Sequence, residues 1–393
     1  MAALTLALAA SLACSAAAAA PPAAAAATSA TFSNIEPRRD THGQIIDAHD
    51  GNYQLVNGTW HYFAMGYGLC NDTGTVNGCD PKCGYSPANT VNVWTSPDLS
   101  NSNWTKLAEV LPYANRPNGT NCTYFRSHGA FSKASQKWVV WVNAVNCPAI
   151  GHGGSGYLAA TAPHPAGPWS YAGVVKTKTH DSRLGDMDIF VDDDGTGYAM
   201  LTRCCGSAPK PDDRRMVVEK LSPDFLSGVA ASETFGVSWT EAPTLFKRKG
   251  VYYGFSAGCT CFGLGGAGVS VNYAKSPLGP WTTGAASLDP GCKDWSTCGA
   301  GQGGRCEPVT QAQQNAVITI PADASSSSAL EGETVGARYI WTGDRWQSGG
   351  NGTGAPAPGL KGWDYQTWLP LEWDDSVDPP LPKALQWVDS FPI

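Results

Sequence analysis

The stretch Asp181 to Leu201, DSRLGDMDIFVDDDGTGYAML, decides the fold. It places Asp186 and Asp188 on an apolar run, then an acidic turn, Asp192-Asp193-Asp194-Gly195, then a second apolar run, Thr196 to Thr202. An Asp-Asp-Gly cluster between β-branched and aromatic runs predicts a hairpin, because Gly and Asp tolerate the positive φ of a tight turn. Asp186 then lies on the strand before the turn and Tyr198 on the strand after it. Asp188 is assigned to the opposite face of that first strand, and Asp192 to Asp194 to solvated turn positions.

The same unit recurs along the chain. IIDAHDG (45–51) precedes YQLVNGTWHYFAMGYG (53–68), FRSHGAF (125–131) precedes WVVWVN (138–143), WTEAPTLF (239–246) precedes VYYGFS (251–256), and TQAQQNAVITI (310–320) precedes ARYIWT (337–342). The offsets from polar residue to aromatic are 11 for His49 to Trp60, 10 for His128 to Trp138, 12 for Asp186 to Tyr198 and 11 for Glu241 to Tyr252. The fifth, Gln313 to Tyr339, is 26, and the Ser325 to Ser328 run accounts for it as an inserted loop. Five units, each a polar-bearing strand, a hairpin and an apolar strand, predict an all-β, five-bladed β-propeller. A β-sandwich is the rival fold, but its repeat is shorter and holds no polar residue at a constant offset. In a propeller the innermost strands face one channel, so residues far apart in sequence converge there.

Composition agrees. The chain has 393 residues with 45 Gly, 28 Pro and 15 Trp, as a turn-rich β protein requires. The net charge is -7, and no basic run occurs, which argues against nucleic acid or an anionic membrane as partner. Residues 1–27 are nearly all Ala, Leu and Ser, with Ala-x-Ala sites, and are expected to be a secretory signal peptide despite having no Lys or Arg before Arg38. A membrane anchor is the competing reading of that run. A polar lead, 28–44, follows, and then a single domain over 45–393. Of 13 cysteines, Cys14 falls in the leader; the others form an even set, expected to be a disulfide framework. Zinc at Cys79-x3-Cys83 or Cys259-x-Cys261 is the alternative, unsupported by paired His spacing. Six Asn-x-Ser/Thr sites, Asn57, Asn71, Asn103, Asn118, Asn121 and Asn351, fit a secreted, extracellular glycoprotein. A monomer is expected, with no cofactor and no metal.

Glu241 lies between Trp239 and Pro243, where partial desolvation raises a carboxyl pKa and suits a general acid. Asp186, one blade earlier, is the neighbouring anion that tunes it. Two carboxylates across a channel are what glycoside hydrolysis needs. Sugar rings lay apolar C–H faces on flat aromatic rings, so Trp239, Trp346, Trp363, Tyr365 and Trp368 are candidate platforms.

The blocks IIDAHDG, SRLGDMDIFVDDDGTGY, EAPTLFKRKGVYYGFSAGC, GPW, and YIWTGDRW followed by WLPLEWDD resemble glycoside hydrolase family 43, and within it the exo-β-1,3-galactanase branch. The resemblance covers Ile45 to Asp389. It implies a five-bladed propeller, inversion at the anomeric carbon, Glu241 as acid and Asp186 as its pKa modulator. Most of the family has a general-base Asp in the first blade; this chain has His49 there, flanked by Asp47 and Asp50. The galactanase branch similarly has His and uses a last-blade Gln to hold the water, which maps onto Gln313, with Gln311 and Gln314 as alternatives. That branch has Glu-Arg-Pro-Lys in blade two, where this chain reads Phe125-Arg126-Ser127-His128: Arg126 is kept and the Glu is lost. His128 is a candidate substitute contact. The implied function is hydrolysis of a β-galactan-type or related cell-wall polysaccharide or oligosaccharide. The competing function is a non-catalytic carbohydrate-binding propeller.

Overall fold

The structure is a computed structural model and describes residues 30–71, 83–150, 155–179, 182–206, 214–258, 262–263, 266–289, 309–322, 336–351 and 356–393. The proposed leader and Cys14, Cys79, Cys259, Cys261, Cys292, Cys298 and Cys306 lie outside them, so the Cys79-x3-Cys83 and Cys259-x-Cys261 zinc alternatives fall wholly or partly outside the described residues. Among the described residues there is no α-helix, and no helix is long and apolar enough to cross a membrane.

Antiparallel sheets follow one another in chain order as the blades of a five-bladed β-propeller. Blade one contains His49–Val56, Thr59–Gly66, Thr90–Ser96 and Thr105–Glu109. Blade two contains Thr123–Ser132, Lys137–Val145, Gly156–Ala162 and Ser170–Val174. Blade three runs from Ser182–Val191 through Gly197–Gly206 and Arg215–Leu221 to Gly228–Ala231. Blade four runs from Thr240–Arg248 through Val251–Gly258 and Val269–Ala274 to Thr282–Ser287. Blade five shows three strands, Gln313–Ile320, Arg338–Arg345 and Tyr365–Pro370. The first strand of each blade packs on the first strand of the next, and the fifth returns to the first. A parallel bridge, Gly51 to Ser127, joins blades one and two.

The hairpin of the deciding stretch forms as expected, with Phe190 paired to Tyr198 and Asp192 to Gly195 in the turn. Asp188 does not point away from Asp186. Both reach the blades on either side, as residues two apart on one strand must. Asp188 contacts His128 and Thr244, while Asp186 contacts Arg126 and Ala242.

Close approach explains two glycines, Gly129 against the neighbouring blade and Gly51 against the next strand of its own blade. A Cβ on Gly129 would stand 2.5 Å from the Phe63 ring, and one on Gly51 would stand 1.9 Å from the Phe63 carbonyl oxygen. A side chain at Gly129 would force the first two blades apart, and one at Gly51 would part the first two strands of blade one.

The polar lead is part of the fold from Thr31 onward. Thr31–Ser33 pairs with Ser390–Pro392, so the two ends of the described chain clasp each other. Phe32 stacks on Trp368 with ring centroids 4.1 Å apart. The Asn34 side chain accepts from the Trp368 N–H at 2.8 Å and donates to the Trp368 carbonyl at 2.9 Å, standing in for an outer strand of blade five. Disulfides join Cys70 to Cys83 and Cys122 to Cys147.

Candidate active site

Every inner strand carries an irregularity at the same level. Register breaks fall between His49 and Asn52, Phe125 and Ser127, Leu184 and Met187, Glu241 and Thr244, and Gln314 and Val317. A β-bulge re-aims the side chains beside it. Three bulge residues have positive φ: Asp50 at 48°, Arg126 at 37° and Ala242 at 51°. That conformation is uncommon outside glycine and is found where neighbouring structure imposes it. The five bulges ring one end of the channel, and a cavity of about 230 Å³ opens there, lined on its polar side by Asp50, Arg126, Asp186, Arg214, Glu241 and Gln313.

Glu241 is held from two directions. Gln313 Nε2 donates to Oε1 at 3.1 Å, and Arg214 Nη1 lies 3.1 Å from Oε2. Gln313 is itself fixed, because Trp346 Nε1 donates to its Oε1 at 2.8 Å. Asp186 Oδ2 accepts from the Ala242 N–H, the amide next to Glu241, at 3.2 Å. The opposite oxygen of Asp186 lies 3.5 Å from Arg126 Nε. Arg126 is fully buried, with Nη2 3.5 Å from Asp50 Oδ1 and donated bonds to the Gln314 and Asn315 carbonyls. Burial opposes its charge, but Asp186 and Asp50 outweigh that and raise its pKa.

Asp50 has a carboxylate acceptor face toward the cavity and hydrogen-bonds the Tyr67 hydroxyl. Burial pushes its pKa up to about 6, with Arg126 opposing and Asp344 and Asp186 adding to the rise. Asp344 lies behind it. It accepts from the Asp50 N–H at 2.7 Å, Asn315 Nδ2 at 2.8 Å and Gln366 Nε2 at 2.9 Å, and pairs with His49 Nδ1 at 3.1 Å. Burial works to raise the Asp344 pKa, but the bonds from His49 and its other partners prevail and hold it below the usual carboxylate range. Asp344 therefore keeps a fixed negative charge beneath Asp50.

Several expected contacts stand elsewhere. His49 is buried between Asp344 and Asp47, and does not line the cavity. Asp47 accepts from the Tyr67 and Gly68 amides, at 2.9 and 2.7 Å, and shapes that loop. His128 is fully buried deeper in the channel against Asp188, 2.7 Å away, and burial lowers its pKa. Trp346 is buried behind Gln313, and Trp368 and Tyr365 are core residues. Trp363 is half-buried in a short 3-10 turn, and Trp239, 40% exposed, precedes the strand carrying Glu241. Among the described residues no group of His, Cys, Asp or Glu is arranged to hold a metal ion.

Sequence reasoning missed Arg214, Tyr85, Phe262 and Asp344. Asp344 sits in the quoted GDRW block and was recoverable from it. Arg214, Tyr85 and Phe262 come from loops with no periodic pattern, where only the closed ring brings them to the cavity.

A closed five-bladed ring with acidic and amide side chains gathered at one mouth defines a β-propeller with a polar cavity on its axis. The chain belongs to glycosyl hydrolases family 43, whose sequence profile matches residues 40–345. No characterised protein sequence matches it significantly. Among solved structures, a family 43 β-1,3-galactosidase is 20% identical with a TM-score of 0.63, covering 93% of this chain and 64% of its own. An exo-β-1,3-galactanase from Clostridium thermocellum is 20% identical with a TM-score of 0.62, covering 92% and 66%. The exo-β-1,3-galactanase from Phanerochaete chrysosporium, solved with β-1,3-galactotriose, is 20% identical with a TM-score of 0.63, covering 93% and 68%. The chain thus spans about two thirds of the length of these structures, and the likeness is one of fold.

Proposed function

We propose that the protein is an exported, inverting glycoside hydrolase that removes a terminal sugar from a β-galactan-type or related cell-wall glycan. The observation that carries this is the convergence of Asp50, Asp186 and Glu241, from three blades, on one cavity. Glu241 gives its proton to the glycosidic oxygen as the bond from that oxygen to the anomeric carbon breaks. A water on the other face of the ring attacks the same carbon and passes its proton to Asp50. Asp186 positions the acid through the Ala242 amide and Arg126. Gln313 fixes the acid carboxylate rather than acting as base, since both ends of its amide are engaged. Asp50 is favoured over Asp47 because Asp50 lines the cavity, whereas Asp47 is turned to the Tyr67 and Gly68 amides. Entry of substrate must part Arg214 from Glu241 Oε2 so that the leaving oxygen can reach it.

A second reading is supported by the same contact: with both Glu241 oxygens occupied, the cavity is also suited to a sugar-binding propeller without turnover. One experiment separates them. The protein and its E241Q variant are incubated with β-1,3-galactan, arabinan and xylan oligosaccharides, and products are followed by anomer-resolved NMR. Hydrolysis with inversion by the parent and not by E241Q supports the enzyme. Binding without product from either supports the alternative. The disulfides and the exposed sequon residues Asn57, Asn71, Asn118, Asn121 and Asn351 support an oxidising secretory route.

A further inference from the structure

Lys361 is fully buried and does not line the cavity. Lysine is almost never fully buried unless its charge is met. Its turn is docked on blade one: the Lys361 N–H donates to the Cys70 carbonyl and the Gly362 N–H to the Gly68 carbonyl, each at 2.8 Å. The side chain enters a box of three rings, Tyr67, Phe262 and Trp346, which follow the second strands of blades one, four and five. The ammonium stands 3.7 Å from the centroid of Phe262, 3.8 Å from that of Trp346 and 5.0 Å from that of Tyr67. The three rings meet edge to face, with centroids 5.0 to 5.6 Å apart and interplanar angles of 75° to 89°. Asp364 Oδ2, 4.0 Å from the ammonium, is the counter-ion, and that carboxylate also accepts the Gln347, Ser348 and Gly349 amides. Each ring reaches the site by another part. The Tyr67 hydroxyl donates to Asp50, Trp346 Nε1 donates to the Gln313 amide that in turn donates to Glu241, and Phe262 lines the cavity itself.

The geometry points to Lys361 as a positioning residue for the proposed reaction. Its ammonium holds the Tyr67 hydroxyl on Asp50 and the Trp346 N–H on Gln313, so one buried cation sets both the base and the acid. The inference rests on the glycosidase reading of the cavity. A cation is drawn to the faces of aromatic rings, more strongly where water is excluded. Here it holds three ring faces to one point, which turns the polar edges of Tyr67 and Trp346 toward the site. Filling the box does not need a charge. Methionine is nearly as long as lysine, and uncharged residues of similar volume in place of a buried ion pair are often neutral or stabilising. What the charge adds is the direction of the rings.

The test variant is K361M/D364N, which removes both charges of the pair and stays close to both shapes. Because the pair goes together, its long-range effect on Asp50 largely cancels, and Arg126, Asp186 and Asp344, the charged groups that face Asp50, are untouched. On β-1,3-galactan oligosaccharides kcat is expected to fall about 10- to 100-fold, with KM little changed and the melting temperature close to that of the parent. The Tyr67 hydrogen bond favours ionised Asp50, so its loss should move the low-pH fall of kcat/KM to higher pH, by about half a unit or more. Titration of Asp50 by carboxyl-13C NMR, assigned with D50N, should show the same rise and needs no turnover. Y67F should give that rise alone and add nothing to it in the K361M/D364N background. If the parent hydrolyses no glycan but the NMR titration moves, the glycosidase reading fails and the positioning of Asp50 stands. An unmoved Asp50 titration, with or without loss of kcat, overturns the inference. So does a double variant that fails to fold, since the pair would then serve stability.

Discussion

Gln313 and Glu241, 72 residues apart, share a hydrogen bond of 3.1 Å across the seam between the fourth and fifth blades. The bond matters because the other end of the same amide is pinned by buried Trp346. The Glu241 carboxylate is thus aimed by a relay of two side chains rather than by its own strand alone. General acid catalysis by a positioned carboxyl contributes about 10²- to 10⁴-fold. E241Q, which keeps the shape and the Gln313 contact, should lower kcat by that amount with an unchanged melting temperature.

Breaking the relay should cost less. W346F keeps an aromatic ring of smaller size but removes the N–H that holds Gln313, leaving the amide free to rotate. We expect kcat to fall about 10-fold with KM little changed, read by steady-state kinetics. An equal loss in W346F and E241Q would show that Trp346 acts in some way other than through Gln313.

Asp50 sets a pH dependence. Its pKa is pushed up to about 6 by burial. In its proposed role as base it must be ionised, so kcat/KM should fall as pH drops through about 6, and D50N should be inactive at every pH. Stability runs the other way. The folded state holds this proton more tightly than the unfolded state does, so the stability the group adds is full below the ordinary carboxylate range and is lost as pH rises through about 6. D50N should therefore be more stable than the parent at pH 7, by up to about 3 kcal/mol, in urea unfolding. A D50N variant less stable than the parent at that pH would contradict the assignment.

Asn34 tests ring closure. It is fully buried, and its amide satisfies both backbone groups of Trp368 and the Val388 carbonyl. Alanine there leaves buried donors and acceptors unmet, at about 1–3 kcal/mol. N34A should lower the free energy of unfolding, measured by urea denaturation, by that amount.

The blade count was legible because each blade repeats one offset between a polar residue and an aromatic, and a hairpin fixes that offset locally. Glu241, Asp186 and Gln313 meet at one cavity for the same reason: they open their blades. His49 and His128 have the same pattern, yet they lie below the cavity, since a bulge decides which of two adjacent residues turns upward. In blade one it turns Asp50 to the cavity instead of His49. A bulge costs one residue of register and leaves no mark in hydrophobic periodicity. Arg214, Tyr85 and Phe262 were illegible because loop residues reach the axis only through the closed ring.

The clasp between the chain ends bears on the chemistry at the axis. Phe32 lies on Trp368, whose Nε1 donates to Gln366; Gln366 donates to Asp344, and Asp344 accepts the amide of Asp50. A nick, tag or trimming event that dislodged Phe32 would therefore loosen the footing of a carboxylate nearly twenty residues downstream, and the protein's acid limb would register what had happened at its edge.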